Sequence, residues 1–583
     1  MIALLRKYLP LLGVVAGYRK DDLPSDLAAG LTTAVMLVPQ AMAYAMLAGL
    51  PPIAGLYASV APLALYALFG TSRQLAIGPV AMVSLLVASG VGDLAPAGTD
   101  AFIAHAVLLA AMVGVIQLGM GLVRAGFLVN FLAHPVISGF TAAAAIIIGF
   151  SQLEHLLGVD LARTHHVHKI FAQALEELGA VNVATVVLSV ASGTLLIALK
   201  RWQPLFPRAL AVVVLGSLGV WIFDLAGRGV AIVGEVPGGF PLPGLPAFEW
   251  AAVQKLAPVA AAIALVGFME SISVAKAFAR RKRHQVGRAQ GYSIDANQEL
   301  VALGMANIGG ALFSAYPVTG GFSRTAVNAQ AGARSTLAGL VTAAVVALTL
   351  LFLTPLFTYL PKAVLAAIIV TAVLDLVDIA EVVHLWRVKR SDLALLLITF
   401  LATLALGIEQ GILIGVTASL LWFIVRSTHP HIAVLGRIPG TRVYRNVARH
   451  SDAETVPGTL IVRMDASFYF GNVTFLTDTL HQLEADLGPL NTVILDASAI
   501  NNLDSSADAA LRDLLSDYKA RDITFLLARV KGPVKDVLER SGFIDHIGRH
   551  ALADDVADAV ERAGGGDPRR GGIGQAAPPR PSA

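Results

Sequence analysis

Long apolar runs dominate the first part of the chain and are separated by short polar stretches. Residues 27–150 contain only four Asp, Glu, Lys or Arg side chains. The runs continue to about residue 430 and measure roughly 15–24 residues each, the length of a helix that crosses a bilayer. At about 30 residues for each helix and its loop, they predict about fourteen transmembrane helices. We place the helix starts near Leu27, Pro52, Gln74, Phe102, Pro135, Val183, Ala209, Leu256, Leu300, Thr319, Leu337, Lys362, Leu393 and Gly411.

The pattern changes after residue 430. Short β-rich runs (TLIVRM, TVILDAS and ITFLLA) then alternate with amphipathic stretches such as SADAALRDLLSDYKA. This alternation predicts a small α/β domain at residues 438–563, after a transmembrane domain at 25–430. Residues 1–24 are predicted to form a cytoplasmic or interfacial segment. Residues 564–583, rich in Gly, Pro and Arg, are predicted to be disordered.

Composition narrows the class of protein. Hydrophobic residues make up 56% of the chain and charged residues 14%, and the mean hydropathy is +0.70. A soluble chain has about 25% charged residues, so a water-soluble enzyme is excluded. The 43 basic and 40 acidic residues give a net charge of +3 and no basic face for nucleic acid. The chain has 0 cysteines, which excludes disulfides and thiolate metal sites. No Walker loop or dinucleotide fingerprint is present, so we expect a non-enzymatic protein without an organic cofactor or a resident metal.

Positive charge predicts the orientation in the membrane. Arg and Lys residues cluster in alternate loops between the predicted spans, which places those loops and both termini in the cytoplasm. Only 12 of the 43 basic residues are Lys, and Ala is abundant, as is typical of a GC-rich bacterial coding sequence. We therefore expect a multi-pass protein of the bacterial inner membrane.

Two segments carry Pro and Gly where an uninterrupted helix is expected. They are GPVAMVS at 78–84 and YPVTGGFSRT at 316–325. Paired helices that begin in mid-membrane direct unsatisfied N–H groups and positive dipole ends into a cavity, so these segments predict an anion site. Gly320 and Gly321 permit close backbone approach, Ser323 offers a hydroxyl donor and Arg324 supplies positive charge. The alternative is a pair of ordinary kinks, with Arg324 reaching to an interface.

Two other polar features interrupt apolar helices. Glu270 is expected to be subject to desolvation and to the charge of Arg324, which act in opposite directions on its protonation, so we predict a proton-coupling role. A static ion pair with Arg324, or a position near the cytoplasmic end, is the alternative. Gln40 and Tyr44 lie one turn apart on one helix face and are predicted to line a pocket, with helix–helix contact as the alternative. Asp295 is predicted to cap the helix that follows it.

At these residues the chain resembles the sulfate permease (SulP) family of anion transporters. The matching stretches are VPQAMAYAMLAGLPPIAGLYAS at 38–59, AIGPVAMVS at 76–84 and NQELVALGMANIGGALFSAYPVTGGFSRTAVNAQAGARS at 297–335. The resemblance implies two inverted repeats of seven helices, similar to the uracil permeases. It further implies a core domain that carries substrate, a gate domain that mediates elevator-like movement, a homodimer and a cytoplasmic STAS domain.

The resemblance also implies which residues contact the substrate and couple it to protons. Glu270 matches the acid of proton-coupled plant sulfate transporters. Carried over by position, the substrate pocket is formed by Gln40, Tyr44, Val80, Ala81, Phe322, Ser323 and Arg324.

A loop of the C-terminal domain is a candidate regulatory site. Asp504, Ser505 and Ser506 resemble the Asp-Ser-Ser-Gly phosphorylation loop of anti-sigma-factor antagonists, but Ala507 stands where those regulators have Gly. The alternative is a capping box that pairs Ser505 with Asp508. The sequence does not identify a partner of the STAS domain.

These observations predict a secondary active transporter, with proton-coupled sulfate import as the leading hypothesis. Na⁺ is the alternative coupling ion, and bicarbonate or a C4-dicarboxylate is the alternative substrate. An anion channel, an exchanger and a membrane sensor that acts through the STAS domain stay open. The expected partners are the anion, the lipid membrane and a second copy of the chain, without nucleic acid. His165, His166 and His168 lie in a predicted external loop without a complete set of metal ligands.

Overall fold

The computed structural model describes residues 9–127, 133–161, 167–203, 206–286 and 294–564. The chain divides into two compact units, one ending at Ser419 and the other starting at Leu420. The first is almost entirely helical, and the second combines helices with a sheet.

Apolar helices form the first unit. Those before residue 223 are α1 (Pro10–Ala16), α2 (Leu23–Leu47), α3 (Pro52–Tyr57), α4 (Ala61–Phe69), α5 (Ala81–Gly92), α6 (Asp100–Leu122), α7 (His134–Ser151), α8 (Leu153–Leu157), α9 (Val167–Glu176), α10 (Val183–Trp202) and α11 (Arg208–Ile222). Those after it are α12 (Trp250–Val286), α13 (Ala296–Leu312), α14 (Phe322–Gln330), α15 (Leu337–Leu348), α16 (Lys362–Val373), α17 (Ile379–Val388), α18 (Arg390–Leu406) and α19 (Ile408–Thr428).

A helix begins close to every predicted transmembrane start. The largest difference is at Gln74, because the chain forms a short strand there before α5 begins at Ala81. Within the described residues, eight helical segments are long and apolar enough to cross a membrane, and α5, α11 and α16 are shorter apolar helices. Asp295 caps α13 as predicted, since its carboxylate accepts hydrogen bonds from the N–H groups of Asn297 (2.9 Å) and Gln298 (3.2 Å).

Helices α5 and α14, which follow the two interrupted segments, are too short to cross a bilayer. Helix α5 has 12 residues and α14 has 9. At about 1.5 Å per residue they reach roughly 18 and 14 Å, against a hydrocarbon core of about 30 Å. Strands β1 (Ile77–Gly78) and β2 (Thr319–Gly320) precede them and pair as a two-stranded antiparallel ladder. The two interrupted segments of the sequence therefore form half-helices that start from a shared ladder.

Close helix packing relies on small residues. A Cβ atom added to Gly304 on α13 would lie 2.6 Å from the backbone nitrogen of Leu118 on α6. One added to Gly114 on α6 would lie 2.7 Å from the backbone nitrogen of Ile308. Glycine is needed at both positions because any side chain would push these two helices apart, a mode of contact common between membrane helices.

The second unit is built on a six-stranded sheet of order β4-β3-β5-β6-β7-β8. Strands β5 to β8 pair in parallel, and β3 pairs antiparallel with β5. Buried strand residues such as Val462 and Ile494 form its core together with the helices. The elements are β3 (Ile432–Arg437), β4 (Tyr444–Asn446), β5 (Thr459–Met464), α20 (Val473–Leu487), β6 (Thr492–Asp496), α21 (Ser505–Ala520), β7 (Thr524–Ala528), α22 (Gly532–Arg540), α23 (Phe543–Ile547), β8 (Leu552–Ala553) and α24 (Val556–Ala563).

The domain limits drawn from the sequence stay predictions. Strand β3 belongs to the sheet although it precedes residue 438, from which the α/β domain is predicted. Helix α1 lies within the predicted N-terminal segment of residues 1–24. Residues 565–583 of the predicted disordered tail, together with His165 and His166, lie outside the described residues.

Candidate substrate site between two half-helices

The ladder brings the N-termini of the two half-helices together. Ile77 pairs with Gly320 and Gly78 with Thr319, so the chain leaves the two strands in opposite directions. Helix α5 begins three residues after Gly78, and α14 begins two residues after Gly320. Neither helix has a side-chain N-cap bond. Their first-turn N–H groups and positive dipole ends are therefore available to an anion.

Helix α12 fixes the ladder from one side. The Ser271 hydroxyl accepts a hydrogen bond from the backbone N–H of Gly320 (2.8 Å) and bonds the Thr319 hydroxyl (2.7 Å). The Thr319 hydroxyl also donates to the carbonyl of Gly267 (2.5 Å). One turn of α12 thus runs along β2.

Buried amide and hydroxyl side chains bond the residues that directly precede the two strands of the ladder. Asn307 on α13 accepts from the N–H of Val318 (2.8 Å) and donates to its carbonyl (3.1 Å). On the other strand, the Thr325 hydroxyl accepts from the N–H of Ala76 (3.1 Å). Because both partners are buried, these bonds satisfy backbone groups that a membrane interior cannot hydrate.

Arg324 is the charged group at the point where the N-termini of α5 and α14 meet, which we call the crossing. It lies in the first turn of α14, is 1% exposed and donates from Nη1 to the carbonyl of Pro79. Its Nε and Nη2 atoms have no hydrogen-bond partner among the described residues. A Cβ on Gly321 would lie 2.8 Å from Nη2, so only glycine leaves room for the guanidinium in this position. A buried cation with unsatisfied donors is the arrangement expected of an anion receptor.

One face of α2 lies against the same crossing. Leu37 approaches Gly78 beside the Arg324 guanidinium. Gln40 and Tyr44 follow Leu37 at helical spacing on that face and are 5% and 6% exposed. Gln40 Oε1 has no hydrogen-bond partner among the described residues, and Tyr44 interacts electrostatically with Arg324.

Glu270 precedes Ser271 on α12 and is the acidic group of the site. Its Oε2 is buried and has no hydrogen-bond partner among the described residues. The carboxyl group interacts electrostatically with Arg324. Glu270 lies on α12 and Arg324 on α14, so the charges of two different helices act on each other at this site.

The structure brings most of the predicted substrate residues together but separates two of them. Val80 and Ala81 are buried at the start of α5. Phe322 and Ser323 are exposed in the first turn of α14, with the Phe322 ring centroid 5.8 Å from that of Phe278. Arg324 and Thr325 are the buried residues of that turn, and Thr325 bonds the backbone of Ala76. The substrate-binding roles of all these residues stay predictions.

A buried carboxylate that local sequence patterns do not reveal bonds the loop just before β1, and we call this arrangement a carboxylate clamp. Glu299 on α13 is fully buried. Its Oε1 accepts from the Thr71 hydroxyl (2.5 Å) and from the N–H groups of Thr71 (2.7 Å) and Ser72 (3.1 Å), while its Oε2 accepts from the Tyr66 hydroxyl (2.7 Å). The NQEL run suggested only a helix start, since these partners lie 227 to 233 residues away. An acid inside an apolar run was the signal that could have found it.

Asp26 forms a second clamp at the start of α2. It is fully buried and accepts from the N–H groups of Arg334 (2.7 Å) and Ser335 (3.1 Å) and from the Ser335 hydroxyl (2.6 Å). The Tyr18 hydroxyl also donates to it (3.0 Å). Burial and this hydrogen bond raise the pKa of Tyr18 to about 12. The segment that follows α14 is thereby fixed to the first long helix.

A cavity of about 800 Å³ borders the far end of α5. Its lining includes Leu85, Ala88 and Gly92, which follow the predicted site along that helix. Gln40, Tyr44 and Arg324 are not part of the lining. Leu85 lies one helical turn beyond Ala81, so the cavity ends about one turn short of the half-helix N-termini.

The candidate regulatory loop lies at the start of α21. Asp504, rather than Ser505, is the N-cap, because its carboxylate accepts from the N–H groups of Ala507 (2.9 Å) and Phe470 (2.9 Å). Ser505 and Ser506 are exposed in the first turn. The predicted capping box of Ser505 with Asp508 is wrong by one position, and Asp508 instead pairs with Arg512 at 3.0 Å.

Comparison with known proteins identifies the chain. The pattern of the sulfate permease family matches residues 23–399, and that of the STAS domain matches residues 450–559. The chain belongs to the sulfate permease family. The predicted family membership is therefore confirmed, as is the expectation of a transporter rather than an enzyme.

Relatives in this family cover nearly the whole chain. Sulfate transporter 4.1, chloroplastic, of Arabidopsis thaliana is 42% identical over 555 residues, covering 92% of this chain and 79% of that protein. A probable sulfate transporter of Mycobacterium tuberculosis is 36% identical, covering 93% of this chain and 96% of that protein.

A solved structure confirms the fold. The murine solute carrier 26 family member A9 anion transporter, in its inward-facing state, aligns with a TM-score of 0.88 at 27% identity, covering 97% of this chain and 95% of that chain. The predicted class, a polytopic helical sulfate permease with an α/β STAS domain, is thus correct. The chain is a multi-pass membrane protein.

Proposed function

We propose that this sulfate permease is a secondary active anion transporter that imports sulfate together with protons. The observation that carries the proposal is the buried Arg324, whose Nε and Nη2 atoms lack partners where two half-helix N-termini meet. The sulfate transporters among its relatives support sulfate as the substrate. No cofactor takes part; H⁺ is the coupling ion, with Na⁺ as the alternative.

The charge of the site explains its preference for anions. Two helix dipole ends and a guanidinium present positive charge and N–H donors to one position. A tetrahedral dianion such as sulfate has enough acceptor oxygens to bond the first-turn N–H groups of both half-helices and the free donors of Arg324. Gln40 and Tyr44 would form the wall that faces these donors.

Glu270 provides the coupling between proton and anion. As a carboxylate it competes with an anion for the charge of Arg324, and when protonated it leaves Arg324 to the anion. Each ligand then favours binding of the other, since such a coupling is reciprocal. The loaded site carries both, which is the requirement for symport.

The family supports the assembly and movement of the transporter. We propose a homodimer in which a core domain, containing the half-helices, moves in elevator fashion against a gate domain. Basic residues in alternate loops favour cytoplasmic termini, and the Arg-rich composition favours a bacterial inner membrane. In the STAS domain, the exposed Ser505 and Ser506 stay candidate regulatory residues.

Uptake of labelled sulfate into proteoliposomes tests the proposal. We expect accumulation driven by an inward proton gradient in the wild type, without a requirement for sodium. Glu270→Gln should retain sulfate exchange between the two sides but lose the stimulation by the proton gradient. Glu249→Gln changes an exposed acid and serves as its control.

The outcomes separate the parts of the proposal. Uptake that ignores the gradient, or that persists undiminished in Glu270→Gln, would contradict proton coupling and leave anion transport standing. If folded protein takes up no sulfate, uptake of labelled bicarbonate, fumarate or succinate into the same vesicles would show that another anion is the substrate. Flux that never accumulates against a gradient indicates a channel.

A further inference from the structure

A proline-rich segment between α11 and α12 exposes an unusual amount of apolar surface. We define the strap as residues 231–249, AIVGEVPGGFPLPGLPAFE. Leu242, Leu245 and Phe248 are 89%, 88% and 73% exposed, and Phe240 and Trp250 are also exposed. No charged residue lies between Glu235 and Glu249. Five large apolar side chains within eleven residues are all exposed, and an apolar patch of this kind is unfavourable in water unless something covers it.

Hydrogen bonds fix the strap to the ends of three membrane helices. The N–H of Val233 donates to the carbonyl of Leu360 (2.8 Å), just before α16. The N–H of Gly239 donates to Leu350 (3.0 Å), in the π-helical segment that follows α15. The N–H of Gly244 donates to Leu312 (2.9 Å), the last residue of α13. Leu312 and the chain at Leu360 lie at helix ends, which are usually near the bilayer surface, whereas Leu350 lies inside the candidate span Leu337–Phe357. The strap therefore extends from the level of the bilayer surface into the outer part of the membrane.

The strap is chemically suited to the boundary between headgroups and acyl chains. Pro237, Pro241, Pro243 and Pro246 have no N–H group, which removes donors that an apolar environment would leave unsatisfied. The ring centroids of Phe248 and Trp250 are 6.4 Å apart, and aromatic residues are enriched at membrane interfaces. At Trp250 the strap continues directly into the membrane-spanning α12.

We propose that the strap is a lipid-binding element whose apolar ridge, Leu242, Leu245 and Phe248, inserts into the interface of the bilayer leaflet next to the ends of α13 and α15. Insertion removes these side chains from water and holds the entry of α12 at a defined depth. The strap leads into α12 and is bonded to the end of α13 and to the chain before α16. Through the strap, the lipid surface is therefore linked to all three helices.

Spin labelling tests this assignment, and the absence of cysteine in the chain makes single labels straightforward. Leu242→Cys and Leu245→Cys would be labelled in the full-length protein in phosphatidylcholine–phosphatidylglycerol vesicles. Val187→Cys, exposed on α10, is the lipid control, and Leu487→Cys, exposed at the end of α20, is the aqueous control. We expect both strap labels to collide more often with oxygen than with a water-soluble nickel complex, as at Val187.

Two results would overturn the proposal. Nickel collisions that dominate at both strap positions, as at Leu487, would place the strap in water. Low access to both quenchers together with spin–spin broadening between copies would show that a second copy of the chain covers the ridge. Monodisperse elution of each labelled variant ensures that either result refers to folded protein. The test does not depend on which anion is transported.

Discussion

Arg324 and Glu299 are both buried charged residues of the membrane unit, yet their surroundings differ completely. Glu299 receives four hydrogen bonds, including two from backbone N–H groups. Arg324 makes one, to the carbonyl of Pro79, and leaves two nitrogen atoms unsatisfied among the described residues. A charge that is fully bonded holds protein segments together, whereas a buried charge with free donors is arranged for a ligand.

The difference separates stability from transport at two residues that are equally buried. Glu299 joins α13 to the loop that leads into β1, so it acts on the ladder through the backbone. Arg324 lies at the ladder and is proposed to act on the anion. Substitutions at these two positions should therefore affect different measurements.

The largest effect is expected from Glu299→Ala on stability. Buried donors left without an acceptor cost about 1–3 kcal/mol each, so the apparent midpoint of thermal unfolding should fall by roughly 5–10 °C. Detergent-solubilised protein followed by size-exclusion fluorescence gives this midpoint. Gln298→Ala on the same turn loses the bond to the carbonyl of Phe69 but leaves the Glu299 carboxylate and its donors in place, so its midpoint should fall less. Equal midpoints for Glu299→Ala and the wild type would refute the clamp.

Arg324→Ala should show the opposite behaviour. Loss of charge-assisted hydrogen bonds worth about 2–3 kcal/mol predicts a fall in sulfate uptake of roughly 30- to 150-fold. The thermal midpoint should stay near that of the wild type, because the removed charge is not fully bonded. Arg334→Ala, which removes an exposed arginine paired with Asp22 at 2.6 Å, is the control for uptake. Uptake equal to that of the control would mean that Arg324 is not part of the site.

Gly321→Ala sharpens the comparison without changing any charge. The added methyl group would lie 2.8 Å from Arg324 Nη2 and must displace the guanidinium. We expect the KM for sulfate to rise about 10-fold, equivalent to about 1.4 kcal/mol, with little change in maximal rate. Gly149→Ala on α7 meets no atom within 4 Å and should leave the KM unchanged. An unaltered KM in Gly321→Ala would indicate that the guanidinium position does not set affinity.

The smallest effect is expected where a bonded carboxylate is near water. Asp504→Ala removes the N-cap of α21 and its bond to Phe470, so the STAS domain should lose about 1 kcal/mol of unfolding free energy. Urea unfolding of residues 432–564 measures this loss. Ser505→Ala, which leaves the cap intact, should be neutral; a greater loss in Ser505→Ala than in Asp504→Ala would restore the capping box predicted from the sequence.

Local sequence signals predicted the parts of the fold that depend on nearby residues. Pro79 and the Gly320–Gly321 pair interrupt apolar runs and mark both half-helices, and Asp295 marks the start of α13. The position of Arg324 inside a span was enough to single it out. The sequence failed by one position at Asp504, since Asp and Ser are about equally good N-caps.

Features that depend on distant partners could not be predicted. The bonds of Glu299 cross more than half of the membrane unit, and no local pattern names Tyr66 or Thr71 as the donors. The orientation of Phe322 and Ser323 away from Arg324 depends on how α14 packs against its neighbours. The apolar ridge of the strap is visible as a composition, but its exposure is a property of the folded chain.

The pairing of Ile77 with Gly320 has a consequence for biogenesis. The ribosome must make the chain between β1 and β2, residues 79–318, before the ladder can close. At about 5–20 residues per second this takes roughly 10–50 s. During this interval β1 has no strand to pair with, and its backbone groups cannot enter lipid unpaired at low cost. The first half-helix therefore reaches its final place only after most of the membrane unit has been inserted, and a nascent chain that stops before Thr319 has every residue of the first half-helix but no ladder to hold it.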